Sequence, residues 1–163
     1  MNYSFSFIVK NQSETKLAGK LITQFAESGS VLALIGNLGA GKTVFTKGVA
    51  EGLETEEPNS PTFVIMKAYE GRMPLYHFDV YRLGNQSEFE EIGFEEFIYG
   101  EGISVIEWAD KIQDVLPDST VIIEISNFDE KGKKSRKIEV KGKQKWLLSY
   151  KNTVEQAFQI LRK

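Results

Sequence analysis

The segment VLALIGNLGAGKT, residues 31–43, restricts the fold of this chain more than any other. Its first five residues are a continuous apolar run, the pattern of a strand covered on both faces. The next eight, Gly36 to Thr43, match G-x-x-x-x-G-K-[ST]. Beyond them Lys42 to Gly52 carries Val44, Phe45 and Val49 toward Leu53, which reads as a helix. A strand, a glycine loop and a helix in that order build a site for a nucleoside triphosphate. The glycines let the backbone curl, so N–H groups of Gly36, Asn37, Leu38, Gly39, Ala40 and Gly41 converge on a β-phosphate. The positive end of the helix adds to the attraction. Lys42 reaches the β- and γ-phosphates, and the Thr43 hydroxyl can hold Mg²⁺.

The rest of the chain supplies alternating strands and helices. SFSFIV (4–9) alternates as a strand, and Asn11 with Glu14 forms a capping box opening a helix that is expected to run to about Gly29. TFVIMKAY (62–69) and PLYHFDVY (74–81), split by Glu70-Gly71-Arg72, are spaced as neighbouring strands. QSEFEEIGFEEFIYG (86–100) reads as two short helices broken at Gly93. ISVIE (103–107) is a second buried-type strand, and ADKIQDVL (109–116) a short helix stopped by Pro117. TVIIEIS (120–126) and KIEVKG (137–142) make a late hairpin, and 153–163 a closing helix. The expected fold is α/β: a single P-loop NTPase domain over residues 1–163, three-layered around a mixed central sheet. A length of 163 residues suits one domain.

A phosphate loop needs a carboxylate for the metal and a group to orient the attacking water. Asp79 ends LYHFD and Glu107 ends ISVIE, so both qualify. Thr62, after Ser60-Pro61, is placed to touch the γ-phosphate or its Mg²⁺ from a loop. His77 is the only histidine; alternation puts it on the face of Asp79, to orient that acid or to pack in the core. Trp108 follows Glu107 as a core or lid aromatic.

Two familiar uses of such a loop fit poorly. Guanine readers carry [NT]-K-x-D, and the candidates here, Thr15-Lys-Leu-Ala and Thr46-Lys-Gly-Val, lack the Asp. ATP is therefore the expected nucleotide. Small-molecule kinases clamp phosphates with several lid arginines, whereas Arg72, Arg82, Arg136 and Arg162 stand far apart in sequence. A small-molecule or protein kinase remains the alternative.

GNLGAGKT, SPTF (60–63), LYHFDVYRL (75–83) and VIEWADKI (105–112) together resemble the TsaE family, over roughly residues 11–125. That resemblance implies a slow, Mg²⁺-dependent ATPase serving threonylcarbamoyladenosine formation at tRNA position 37, with TsaB and TsaD, the transferase, as partners. It also implies that Thr43 and Glu107 hold Mg²⁺ and that Asp79 is a second essential acid. Lys42, Asp79 and Glu107 are then the catalytic set, and Thr62 and Trp108 belong to the site. Asn37 departs from the Asp common in the family. Asn11, Gln12 or Thr15 would meet the adenine.

Charge is unevenly spread. Residues 83–110 hold eight acids and no Lys or Arg, whereas 131–145 hold eight bases and one acid. Each run is either solvated surface or a docking face for partner or tRNA. With no cysteine, no signal-peptide pattern at the N-terminus and no long apolar run, the expected setting is soluble and cytoplasmic.

Overall fold

The computed structural model describes residues 2–59 and 65–162. Among these residues seven strands form one sheet in the order β1-β7-β6-β2-β5-β4-β3. They are β1 (Tyr3–Val9), β2 (Val31–Ile35), β3 (Met66–Tyr69), β4 (Leu75–Asp79), β5 (Ile103–Glu107), β6 (Val121–Glu130) and β7 (Lys133–Gly142). The middle of the sheet is parallel: β2 pairs with both β5 and β6, and β5 with β4. Its two margins are antiparallel, through β3 on β4 and β1 on β7 on β6. The mixed sheet is thus a parallel centre with hairpin edges.

Alternation along the strands divides the core into two. Leu32, Leu34, Leu75, Ile103, Val105 and Ile123 face helices α1 (Gln12–Ile22), α2 (Lys42–Leu53) and α5 (Trp146–Leu161). Val31, Ala33, Phe78 and Ile106 face α3 (Gln86–Glu91), α4 (Glu95–Ile98) and a 3-10 helix, Ala109–Val115. Neighbouring residues of β2 therefore enter different cores, which is why VLALI is apolar at every position. Three layers result.

Helices α1 and α2 touch through glycine. A Cβ on Gly48 would lie 1.9 Å from the Lys16 carbonyl oxygen, and one on Gly19 would lie 2.2 Å from that of Phe45. This backbone contact holds the amino end of α1 beside the phosphate loop that starts α2. On the other side of α1, the buried Tyr150 of α5 donates its hydroxyl to the Ala18 carbonyl at 2.8 Å. Burial there pushes the phenol pKa far up.

Several boundaries differ from the sequence reading, each for a tertiary reason. Helix α1 stops at Ile22 rather than near Gly29. The Thr23 hydroxyl donates to the Lys20 carbonyl, and Arg72 donates to the Thr23 carbonyl from across the fold, so the chain leaves the helix there. Helix α5 starts at Trp146, not Thr153, because Leu147 and Tyr150 are drawn into the core with Val154 and Phe158. Packing overrides the weak helix preference of Ser149, Asn152 and Thr153. The late hairpin is longer than expected, with a two-residue turn at Lys131 (φ 52°) and Gly132 (φ 79°). Positive φ at both positions matches the twist of the flanking strands. The helix after Trp108 is of the 3-10 type, kinked at Ile112, and ends in extended Leu116 before Pro117.

Candidate functional site

The carboxyl ends of β2, β4 and β5 lie side by side, with Asp79 paired in register with Glu107. Ligands of open α/β sheets bind at this edge. A cleft of about 760 Å³ opens here, lined among others by Asn11, Thr15, Lys42, Thr43, Asp79 and Glu107. That size falls within the range usual for small-molecule sites.

The phosphate loop bends through Gly39 (φ 80°) and Gly41 (φ 113°), conformations a side chain resists. Gly36 has no room for a Cβ, which would meet the Ile125 carbonyl oxygen of β6 at 2.5 Å. Leu38, Gly39, Ala40 and Gly41 line the cleft. Gly36 and Asn37 sit behind it and hold Lys42, whose ammonium donates to their carbonyls at 2.6 and 3.0 Å. The same ammonium lies 3.9 Å from the centre of the Trp108 ring. Burial pulls the Lys42 pKa below the usual lysine value, and the carboxylates of Glu107, Asp110 and Asp79 act against that pull.

Glu107 is buried at the end of β5 and joins three side chains. Its Oε1 accepts the Thr43 hydroxyl at 2.9 Å. Its Oε2 accepts the Thr46 hydroxyl at 3.3 Å and bonds to His77 Nε2. His77 is therefore tied to Glu107 and not to Asp79. In a parallel pair, His77 stands opposite Val105, so its diagonal neighbour on the same face is Glu107. Asp79 instead accepts the Tyr81 backbone N–H at 3.0 Å and lies half-buried in the cleft wall.

The Thr43 hydroxyl and the Glu107 carboxylate are two hard oxygen donors facing one another. Among the described residues no group of three or more His, Cys, Asp and Glu side chains could hold a metal ion by itself. This donor set fits Mg²⁺, which is usually held by one or two protein oxygens, with water and nucleotide phosphates completing its octahedron.

Trp108 adopts a left-handed backbone (φ 63°), unusual for a large side chain, and packs on Tyr81 with ring centres 4.8 Å apart. The Lys111 ammonium donates to the Tyr81 carbonyl behind them. Asn11 caps α1 by accepting the Glu14 N–H at 2.9 Å, which uses Oδ1 and leaves its amide nitrogen as the group to meet a ligand. Gln12 and Thr15 line the same wall. Thr62 falls outside the described residues.

Sequence alone leaves open whether Arg82 or Arg136 reaches the site, and β7 supplies the second. Lys134, Ser135 and Arg136 line the cleft, and Arg136 Nε donates to the Ala40 carbonyl of the loop at 3.2 Å. Arg82 lines it from beyond β4. Two arginines far apart in sequence thus converge on one cleft. The basic run was the available signal, but only the pairing of β7 with β6, Arg136 opposite Asn127, and of β6 with β2 brings it here.

The model of the family "Threonylcarbamoyl adenosine biosynthesis protein TsaE" matches residues 9–138. A tRNA threonylcarbamoyladenosine biosynthesis protein TsaE from Bacillus subtilis (strain 168) is 48% identical over 125 residues, which cover 74% of this chain and 78% of the relative. The protein so named from Treponema pallidum (strain Nichols) is 44% identical over 119 residues, covering 72% and 88%. A crystal structure of Bacillus subtilis YdiB superposes with a TM-score of 0.76 at 35% identity, over 96% of this chain and 97% of that one.

Proposed function

The chain belongs to the TsaE family of threonylcarbamoyl adenosine biosynthesis proteins, and we propose that it is a slow, Mg²⁺-dependent ATPase. Its work is threonylcarbamoyladenosine formation at tRNA position 37, carried out with the TsaB–TsaD transferase. The observation that supports this reading most directly is the convergence of Lys42, Thr43 and Glu107 at the mouth of one cleft.

In this reading the loop amides from Leu38 to Gly41 cradle the β-phosphate. Lys42 exchanges its two loop carbonyls for β- and γ-phosphate oxygens. Thr43 and Glu107 hold Mg²⁺, which when bound neutralises charge on the β- and γ-oxygens. Asp79, in the wall beside Glu107, orients the water that attacks the γ-phosphorus. The bond from that phosphorus to the β–γ bridging oxygen breaks, and ADP leaves with the electron pair. Arg136 and Arg82 lie where they can meet phosphate charge, and Asn11, Gln12 or Thr15 meet the base. The protein is a single ATPase domain.

The test has two arms. Purified protein incubated with γ-labelled ATP should release labelled phosphate only with Mg²⁺, and faster with the transferase. Label appearing on a small molecule or protein acceptor would instead establish a kinase. Depleting the protein from cells should lower threonylcarbamoyladenosine in bulk tRNA, read by mass spectrometry. Unchanged levels would refute the assigned role.

A further inference from the structure

We propose that His77 is a positioning residue that clamps Glu107 from behind and so sets the orientation of the oxygen offered to Mg²⁺. This rests on the reading that Thr43 and Glu107 seat the metal of a bound nucleotide.

The two oxygens of Glu107 have different surroundings. Oε1 points to the Thr43 hydroxyl at 2.9 Å, the side on which the cleft opens. Oε2 is taken up by His77 Nε2 and by Thr46 Oγ1, the latter also within 3.0 Å of the Lys42 carbonyl. A carboxylate free at the rear rotates about its terminal bond and can present either oxygen or both. With Oε2 engaged by β4 and α2 at once, only Oε1 remains for the metal side. Carboxylates at metal sites are commonly fixed by such outer hydrogen bonds.

The imidazole is there for its donor and not for its bulk. His77 is fully buried, and its Nδ1 has no hydrogen-bond partner among the described residues. An apolar side chain would fill the same place without leaving a buried polar atom unmatched, which carries a free-energy cost. The unpartnered Nδ1 also favours the tautomer with its proton on Nε2, because an unmatched lone pair is less costly than an unmatched N–H. Nε2–H is then a donor aimed at Oε2.

The clamp is read by calorimetry of ADP binding with EDTA and with Mg²⁺, in the wild type and in variants. His77→Leu keeps volume and removes the donor. It should lose roughly ten- to hundred-fold of the affinity that Mg²⁺ adds, with affinity in EDTA unchanged. His77→Gln, whose amide nitrogen reaches the place of Nε2, should recover most of that loss. In a Glu107→Ala background, His77→Leu should cost nothing further. A His77→Leu protein with the full Mg²⁺ gain, or one losing as much in the Glu107→Ala background, overturns the clamp alone. A wild type that gains nothing from Mg²⁺ overturns the metal reading as well. Thr46→Val removes the second donor on Oε2 without disturbing β4, which keeps the question answerable if His77→Leu does not fold. A full Mg²⁺ gain in both Thr46→Val and His77→Gln, the latter without any donor restored to Oε2 in its structure, would equally overturn it.

Discussion

The Thr43 hydroxyl stands 2.9 Å from Oε1 of Glu107, joining the first turn of α2 to the last residue of β5. The contact spans sixty-four positions of sequence and draws the phosphate loop and the acidic strand end into one site. Removing either group should separate nucleotide binding from metal dependence.

Glu107→Ala leaves the buried His77 Nε2 without its partner, whereas Thr46 keeps the Lys42 carbonyl, so it should cost about 1–3 kcal/mol in stability. Its Mg²⁺-dependent ATP turnover should fall by about two orders of magnitude, whereas ATP binding in EDTA persists. Asp79→Ala should slow turnover and keep the Mg²⁺ gain in affinity. Urea titration and single-turnover kinetics read the two effects. Full turnover in Glu107→Ala would reassign the metal ligand to another residue.

Trp108 should report the nucleotide. Its ring carries the Lys42 ammonium at 3.9 Å, and phosphates that draw the ammonium away change the field on the indole. ATP titration should therefore alter intrinsic fluorescence in the wild type and in Trp146→Phe, but not in Trp108→Phe. Fluorescence that ATP leaves unchanged in Trp146→Phe would mean that Lys42 stays on the ring.

Gly48→Ala should destabilise the fold by about 1–3 kcal/mol, since its Cβ must displace the Lys16 carbonyl now 1.9 Å from that place. Thermal melting measures the loss. ATP affinity should fall with it, because α1 carries Asn11 and Thr15 into the cleft wall. Melting unchanged from wild type would show that α1 and α2 can part without penalty.

Arg136→Ala should weaken ATP binding about ten-fold or more, the scale of one charge-assisted hydrogen bond. Lys133→Glu should leave ATP binding unchanged and cost a few tenths of a kcal/mol or more, since it sets two carboxylates opposite one another with Glu130. Isothermal titration and melting separate the two. Equal effects on ATP binding would show that the whole basic run acts as a general field.

Arg162→Ala should lower the melting temperature modestly, through the loss of about 1 kcal/mol. Arg162 donates to Glu14 at 2.7 Å and to the Ile8 carbonyl at 2.8 Å, and Glu14 in turn accepts the Lys10 N–H. Because Lys10 and Asn11 line the cleft, ATP affinity should drop a few-fold as well. An unchanged affinity would confine this latch to stability.

The two charged runs illustrate how composition and surface diverge. Seven of the eight acids in 83–110 are exposed, but Glu107 is buried in the site. The basic run is partly neutralised in register: Lys134 lies opposite Asp129 and Lys133 opposite Glu130. What it brings to the cleft is local, at Lys134, Ser135 and Arg136. A linear count of charge registers neither cross-strand pairing nor burial.

Local chemistry determined the parts of this protein that the chain alone reveals. A strand apolar at every position, a loop needing φ > 0 at Gly39 and Gly41, and a helix opening on Lys42-Thr43 are each dictated by steric and hydrogen-bonding rules acting within a few residues. The same holds for the Asn11 cap and the break at Gly93. Tertiary structure decided what meets across the sheet. Alternation put His77 and Asp79 on one face, but strand register gave His77 to Glu107 and Asp79 to the cleft wall. Likewise β7 reaches the loop only because its hairpin partner β6 pairs with β2, a relationship between residues far apart in sequence. Local rules act through bonds and short separations; register and packing depend on which surfaces the whole chain must bury together.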